Sequence, residues 1–339
     1  MTAGSVRIGG GSRFFNGAVL RFVARRLLQA LIVMLMVMTA NFVLIKLAPG
    51  DIVDVLTGSS DMTAEQIASL RQEYGLDQPV IVQFVKYFAR LAQFDLGYSN
   101  QFHDTVLNII LGRLPTTLLL VAFSVILSIV IGTVMGVAAA RSAGKLVDSA
   151  ISALVLLFYA TPVFIVAIVM ILCFSVWLGW LPTSGLYSVG AGHTGFAYIK
   201  DVAAHLVMPV VALCTFYTAI YSRLARATML ETMHLDFVRT ARAKGLSERR
   251  VIYGHALRNA LLPIVTMAGL QVSSLIGGAV LIETVFGLPG MGRTAFDAIF
   301  TRDTNLLLGV MFIASLAVVV VSLVVDFLYA LLDPRVELK

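Results

Sequence analysis

Long apolar segments separated by polar loops dominate this chain. A transmembrane helix needs about 20 apolar residues to cross roughly 30 Å of hydrocarbon. Six segments meet this length, namely 27–48, 114–140, 151–178, 202–222, 260–283 and 306–332. They lack the ten-residue alternation that is typical of membrane β-barrel strands. The pattern therefore predicts an all-α integral membrane protein with six transmembrane helices.

The composition agrees with a membrane protein. Hydrophobic residues make up 59% of the 339 residues and charged residues 13%, whereas a soluble domain carries about 25% charged residues. The mean hydropathy is +0.91. The net charge of +6 comes from basic residues beside apolar segments, which is the positive-inside pattern rather than a nucleic-acid-binding face. We therefore predict contact with a lipid bilayer and no nucleic-acid partner.

The basic residues also predict the orientation of the chain in the membrane. Residues 1–26 contain five arginines and no acidic residue. With this tail in the cytoplasm, the loop after 140, the inner loop 223–259 and the C-terminal end lie on the same side, as the positive-inside rule requires. Both termini are then cytoplasmic. The chain divides into a basic tail, 1–26, and a six-helix domain, 27–339.

The segment between the first two spans, 49–113, is too long for a simple turn, and we name it the outer cap. Thr63 and Gln66 have the spacing of a capping box, and Pro79 is suited to begin a second helix. That second helix carries one apolar face, formed by Ile81, Phe84, Val85, Phe88 and Leu91. The cap is expected either to lie on the membrane or to pack against the spans. A passive cap and a protein-binding site both remain open; the candidate partner contacts are Phe84, Phe88, Asp95 and Tyr98.

The inner loop 223–259 contains eight Lys and Arg residues between two apolar spans. Residues 228–244 favour a helix, Gly245 is a stop signal, and Ser247 can cap a second helix. We therefore predict two short helices joined at Gly245. Such a stiff, protruding element can transmit a push to or from a cytoplasmic partner.

Small residues and prolines indicate where the spans pack closely or bend. Gly132-x-x-x-Gly136 permits two helices to approach closely, and Pro162 predicts a kink in the third span. Candidate residues lining a transport pathway are Pro162, Ser273, Ser274, Gly277 and Gly278, although helix packing explains them equally well.

No catalytic signature is found in the sequence. Gly144-Lys145 is followed by Leu146, so the phosphate-binding loop of an ATPase is missing. There is no metal-binding or nucleophile motif, and we predict neither enzyme activity nor a bound metal or cofactor. The centres of the spans are nearly free of charge, which argues against a secondary carrier. A stand-alone channel or carrier and a membrane scaffold remain the alternatives.

The inner loop resembles a known motif. Arg239-Thr-Ala-Arg-Ala-Lys-Gly-Leu246 and His255-Ala-Leu-Arg-Asn-Ala260 are similar to the peptide-permease variant of the Glu-Ala-Ala loop in binding-protein-dependent ABC importers. The resemblance covers about residues 20–337 and is specific to the first permease subunit of the dipeptide/oligopeptide/nickel group. Further matching motifs are Pro49-Gly-Asp51, Asp95–Ser99, Arg113–Leu118, Leu181–Gly185, Glu283–Gly292 and Asp333-Pro-Arg335.

This resemblance implies a type I importer permease in the bacterial cytoplasmic membrane. The implied partners are a second homologous permease, two cytoplasmic ATPase domains that hold ATP and Mg, and an extracytoplasmic substrate-binding protein. The first helix of the inner loop would enter a groove on one ATPase domain. Arg239 stands where the general motif has Glu, so packing by Phe237, Val238 and Ala241 is expected to matter more than charge. The implied coupling residues are Phe237, Val238, Arg239, Thr240, Ala241, Lys244, Gly245, Leu246, His255 and Arg258.

Overall fold

The computed structural model describes residues 17–47, 63–73, 77–99 and 101–332. At 17–23, 45, 64, 67, 70, 73, 270, 272–278 and 326–332 it describes the backbone only. The motifs Pro49-Gly-Asp51 and Asp333-Pro-Arg335 lie outside the described residues.

Within these ranges the fold is helical, apart from one short antiparallel hairpin in which Tyr98 pairs with Thr105. The elements in chain order are α1 Gly17–Leu47, α2 Ala64–Glu73, α3 Val80–Ala92, β1 Tyr98–Ser99, β2 Asp104–Thr105, α4 Val106–Arg141, α5 Leu146–Ala160, α6 Val163–Met170, α7 Gly195–Met233, α8 Asp236–Ala243, α9 Glu248–Arg250, α10 Leu257–Val285, α11 Met291–Phe300 and α12 Thr304–Leu332. A π-helical segment, Ile171–Trp177, continues α6, and another, Val251–Ala256, joins α9 to α10.

Among the described residues, four helices are long and apolar enough to cross a membrane. They lie in α1, α4, α7 and α12, and α5 with α6 make a fifth candidate if they count as one broken span. The remaining predicted segment, 260–283, falls within α10. Several predicted segments are shorter than the helices that contain them. The helix α4 begins at Val106, where the Asn108 N–H donates to the Thr105 hydroxyl (3.4 Å), and α7 extends from Gly195 to Met233.

The break between α5 and α6 confirms the effect predicted for Pro162. The two helices meet at an angle of 99°. Pro162 lacks an N–H group and forces the preceding residue out of the helical region. Accordingly, Thr161 is extended, with φ −85° and ψ 123°. The predicted kink is therefore a break in which the chain turns by roughly a right angle.

The glycines of α4 allow the close helix approach that their spacing predicts. A Cβ atom built on Gly132 would lie 2.6 Å from Tyr221 Cβ, and one built on Gly136 would lie 2.5 Å from Ala225 Cβ. Real carbon atoms in contact are separated by about 3.5–4.0 Å. The backbones of α4 and α7 thus pack where no side chain fits between them, and α7 becomes the central helix of the fold.

The end of α3 and the segment after it, both in the outer cap, pack against the spans at one end of the molecule. Its capping box is confirmed, because Thr63 N–H donates to Gln66 Oε1 (2.9 Å) and Gln66 N–H donates to Thr63 Oγ1 (3.4 Å). Leu91 and Leu96 are buried in a cluster with residues of α1, α4, α11 and α12. The cap is therefore continuous with the helical bundle at that end.

Candidate coupling surface

The helix α8 has one face inside the molecule and one face outside. Val238 is fully buried and Ala241 is nearly so, in a cluster that includes Val137 of α4, Met229 of α7 and Val251. Phe237, by contrast, is 40% exposed. The inner face therefore fixes the helix to the ends of the spans, and only the outer face is available to a partner.

The structure corrects the predicted course of the inner loop at its start. Residues 228–244 do not form one helix, because α7 ends at Met233 and α8 begins at Asp236. Leu235 is extended between them, with φ −72° and ψ 150°. The corner allows Val238 to reach the apolar cluster at the end of α4, and this tertiary contact outweighs the local helix preference.

Gly245 ends α8 as predicted, through a Schellman motif. Its φ is +76°, a conformation that side chains other than glycine rarely adopt. The Leu246 N–H donates to Ala241 O (3.4 Å) and the Gly245 N–H donates to Arg242 O (2.9 Å), which is the hydrogen-bond pattern of this motif. Ser247 occupies the cap position of α9, although its side chain makes no capping hydrogen bond.

The outer face of α8 is polar around one aromatic ring. Arg239 forms an ion pair with Asp236 (3.5 Å), and both side chains are well exposed. Thr240 and Lys244 are exposed as well. The outer face of α8 therefore exposes the Phe237 ring to a partner, and the charged groups of Asp236 and Arg239 lie beside it.

The second half of the inner loop holds α8 in position. Arg242 Nε donates to Glu248 Oε1 (2.8 Å) across the Gly245 turn. Arg141 at the end of α4 contacts the Tyr253 hydroxyl (3.4 Å). His255 is half-buried and Arg258 is exposed. The predicted coupling residues therefore lie in one connected segment, but they do not form one surface.

The other predicted residues lie in three places. Pro162 is exposed at the α5–α6 corner, while Ser273, Ser274, Gly277 and Gly278 belong to the backbone-only part of α10. In the outer cap, Phe84 and Phe88 are half-buried, and Phe84 meets Phe42 of α1 edge to face, with ring centroids 5.3 Å apart. Asp95 and Tyr98 remain exposed.

Two pairs of polar residues were not anticipated as partners from the sequence. The Thr117 hydroxyl donates to the fully buried Glu283 carboxylate (2.6 Å) and accepts the Met291 N–H (2.8 Å). The other Glu283 oxygen accepts the Arg293 N–H (3.0 Å). These bonds tie α4 and α10 to the start of α11, and they join two motifs, Arg113–Leu118 and Glu283–Gly292, that the sequence shows only as separate matches.

The second pair lies near the inner loop. Arg226 of α7 contacts both oxygens of Asp148 at the start of α5, with nitrogen–oxygen distances of 2.7 and 2.8 Å. The Gly144 N–H donates to the same carboxylate (3.0 Å). The partners are 78 residues apart in the chain, and a pairing at that separation has no local signal in a single sequence.

Known proteins resemble this chain along nearly its whole length. The di/tripeptide transport system permease protein DppB of Pseudomonas aeruginosa is 39% identical over 335 residues, covering 94% of this chain and 99% of the relative. A peptide permease protein of Brucella suis is 38% identical over 321 residues, with the same coverage. The oligopeptide transport system permease protein AppB of Bacillus subtilis is 36% identical over 317 residues, covering 93% and 99%.

The fold has a counterpart among solved structures. The inward-facing MetNI methionine ABC transporter matches with a TM-score of 0.54 at 18% identity, over 67% of this chain and 97% of that chain. Residues 128–338 match the binding-protein-dependent transport system inner membrane component, and residues 19–121 match the N-terminal family of the same membrane components. The chain therefore belongs to the binding-protein-dependent transport system inner membrane component family, as the multi-pass permease of an ABC importer whose ATP hydrolysis takes place on separate subunits.

Proposed function

We propose that this permease imports di- or oligopeptides. It has six membrane spans with both termini in the cytoplasm, and it forms half of the pathway with a second homologous permease. Two ATPase domains lie beneath the pair, and a substrate-binding protein delivers the peptide from the other side. The observation that carries the peptide assignment is the near full-length similarity to relatives that are named for peptide transport.

The outer face of α8 is the contact with the ATPase in this proposal. Phe237, Arg239, Thr240 and Lys244 meet the ATPase, while Val238 and Ala241 hold the helix on its own subunit. Closure of the ATPase dimer on ATP moves segment 237–250 as a rigid body, and the spans turn from inward-open to outward-open. Coupling requires two global states that the nucleotide favours differently. The buried face of α8 supports this role, because it connects the helix directly to α4 and α7.

Cysteine crosslinking tests which face of α8 meets the ATPase. We expect Thr240→Cys to form a crosslink with a cysteine in the ATPase groove. Val238→Cys is the matched control, because Val238 is two residues away and fully buried against its own chain. Equal crosslinking from both positions, or none from Thr240→Cys in the assembled transporter, would refute the assignment.

Substitution of Gly245 tests the rigid connection. Proline fixes φ near −65° and has no N–H, so Gly245→Pro removes both the positive φ and the bond to Arg242 O. We expect ATP hydrolysis to continue without peptide uptake. Gly245→Asn is the control, since asparagine tolerates this conformation, and it should retain most of the uptake. If Gly245→Pro transports peptide normally, α8 does not couple the two activities.

A further inference from the structure

A half-enclosed cavity of about 710 Å³ lies between α4, α5 and α7. The end nearer the inner loop holds Arg226, whose charge is neutralised by both oxygens of Asp148. The deeper end holds Arg223 of α7 and Tyr159 of α5, with the Arg223 guanidinium 5.8 Å from the centroid of the Tyr159 ring. Pockets that bind small molecules have volumes of about 300–1,000 Å³, so the cavity is large enough for such a ligand.

Arg223 lies within the helical bundle and not beyond its inner end. The helix α7 continues from Arg223 to Met233, which is about 15 Å at the rise of an α-helix. On α4, Gly136 packs against Ala225, and that helix also continues past this contact towards the inner loop. The guanidinium lies over Tyr159, near the end of α5 that is farther from the inner loop. The charge is therefore held at depth and does not reach back to the inner rim.

The charge of Arg223 is not cancelled by the protein. Its side chain is exposed, and it has no acidic partner among the residues whose side chains the structure describes. The Tyr159 ring attracts the cation but leaves its charge in place. A charged side chain within a membrane span is costly against hydrocarbon, and it almost always faces a partner or a water-filled cavity. The Arg223 end of the cavity is therefore expected to contain water and to favour an anion.

The rest of the cavity is permissive. Ile151, Val155 and Leu156 form an apolar wall on α5, and Ser152 and Ser222 add uncharged hydroxyl groups. Apolar contact is non-directional, so this wall accepts side chains of many shapes without selecting one. A single uncancelled cation beside such a wall suits ligands that share one anionic end and differ elsewhere. Peptides have this property, because each ends in the same carboxylate whatever its side chains.

We propose that this cavity is a peptide site on the transport pathway, in which Arg223 binds the C-terminal carboxylate of the substrate. Arginine can donate two parallel hydrogen bonds to the two oxygens of a carboxylate, and such charge-assisted bonds are about twice as strong as neutral ones. The side chains of the peptide lie along the apolar wall of α5. This inference rests on the proposed function, which is peptide import with the inner loop on the cytoplasmic side.

Binding of the dipeptide alanylphenylalanine to the complete permease–ATPase complex, without the substrate-binding protein, tests the carboxylate contact. We expect Arg223→Gln to weaken this binding about tenfold, the effect of losing one hydrogen bond to a charged group. Amidation of the dipeptide should weaken binding to the parent by a similar factor and should cause no further loss in Arg223→Gln. Lys145→Gln is the matched control, because it removes an exposed charge near the start of α5 without lining the cavity.

Labelling of Ser152→Cys tests whether water reaches the cavity. The two native cysteines, Cys173 and Cys214, are first replaced by alanine. A water-soluble thiol reagent should then label Ser152→Cys, and alanylphenylalanine should slow the labelling more than its amide does. The variant that keeps Cys214 alone is the control, and it should stay unlabelled because Cys214 is buried.

Several results would overturn the proposal. One is an absence of dipeptide binding to the parent complex, and another is an additive loss from amidation and Arg223→Gln, which would place the carboxylate elsewhere. A third is an unlabelled Ser152→Cys, which would mean that lipid or protein covers the cavity. A fourth is displacement of the dipeptide by an equal concentration of inorganic phosphate, which would assign the cavity to small anions in general.

Uptake of the same dipeptide separates this site from the proposed function. It is measured in proteoliposomes made from the same samples, with the substrate-binding protein added. A parent transporter that imports the dipeptide but fails the binding or labelling test loses the site and keeps the import function. A parent transporter that imports no peptide refutes the proposed function itself.

Discussion

Replacing Gly136 by alanine tests the close packing of α4 against α7. A Cβ atom at this position would lie 2.5 Å from Ala225 Cβ and 2.5 Å from the Ser222 backbone oxygen. Ordinary carbon contacts are about 3.5–4.0 Å, so the two helices must separate by about 1 Å. Neither neighbour is the flexible end of a long side chain, and local rearrangement therefore cannot remove the clash.

The energetic consequence follows from two opposing effects. Overpacking in a well-packed interior costs about 1–3 kcal/mol, whereas alanine is favoured over glycine in a helix by up to about 1 kcal/mol. The net effect of Gly136→Ala is a destabilisation of up to about 2 kcal/mol. Because α7 is the central helix, the melting temperature of the purified transporter should fall by a few degrees at most, and peptide uptake should fall with it.

Gly112→Ala provides the matched control for this measurement. Gly112 lies on the same helix, and nothing lies within 4 Å of a Cβ atom built on it. This variant gains the helix preference without the clash, so its melting temperature should equal or slightly exceed that of the parent. If Gly136→Ala melts at the same temperature as Gly112→Ala, the tight seam between α4 and α7 does not exist in the membrane.

Two further predictions concern the opposite end of the molecule. Thr117→Val removes the hydroxyl that joins Glu283 to the Met291 N–H and should cost about 1–3 kcal/mol of stability, seen as a lower melting temperature; Thr117→Ser keeps the hydroxyl and should restore it. Tyr98 is 47% exposed, and Asn305 Nδ2 donates to its backbone carbonyl (3.1 Å), so the residue is both fixed and accessible to a binding protein. Tyr98→Ala should therefore raise severalfold the concentration of loaded binding protein that gives half-maximal uptake. An unchanged concentration dependence would exclude a contact there.

Local signals in the sequence predicted several elements correctly. The capping box of Thr63 and Gln66, the bend at Pro162 and the helix stop at Gly245 each depend on the chemistry of one or two nearby residues. Such features act over a single turn, and their physical cause is visible in the residues themselves. The glycine spacing on α4 likewise predicted close packing, although it did not identify α7 as the neighbour.

Features that depend on distant contacts were missed. The corner at Leu235 exists because Val238 is buried in an apolar cluster that includes Val137 of another helix, and nothing within 228–244 predicts it. The same holds for the bond between Thr117 and Glu283, which are 166 residues apart. The family motif identified the α8 segment but could not separate its buried from its exposed positions, since that division depends on where the ends of α4 and α7 lie.

The separation of α8 into an inward and an outward face has an evolutionary consequence. Mutations at Val238 or Ala241 disturb the permease itself, whereas mutations at Phe237, Arg239 or Thr240 alter only what a neighbour encounters. In the proposed contact, substitutions at the outward positions would change how the ATPase binds without disturbing the buried face that holds α8 against α4 and α7. The four outward positions, Phe237, Arg239, Thr240 and Lys244, would then determine which ATPase the permease accepts, independently of the buried positions that hold the helix in place.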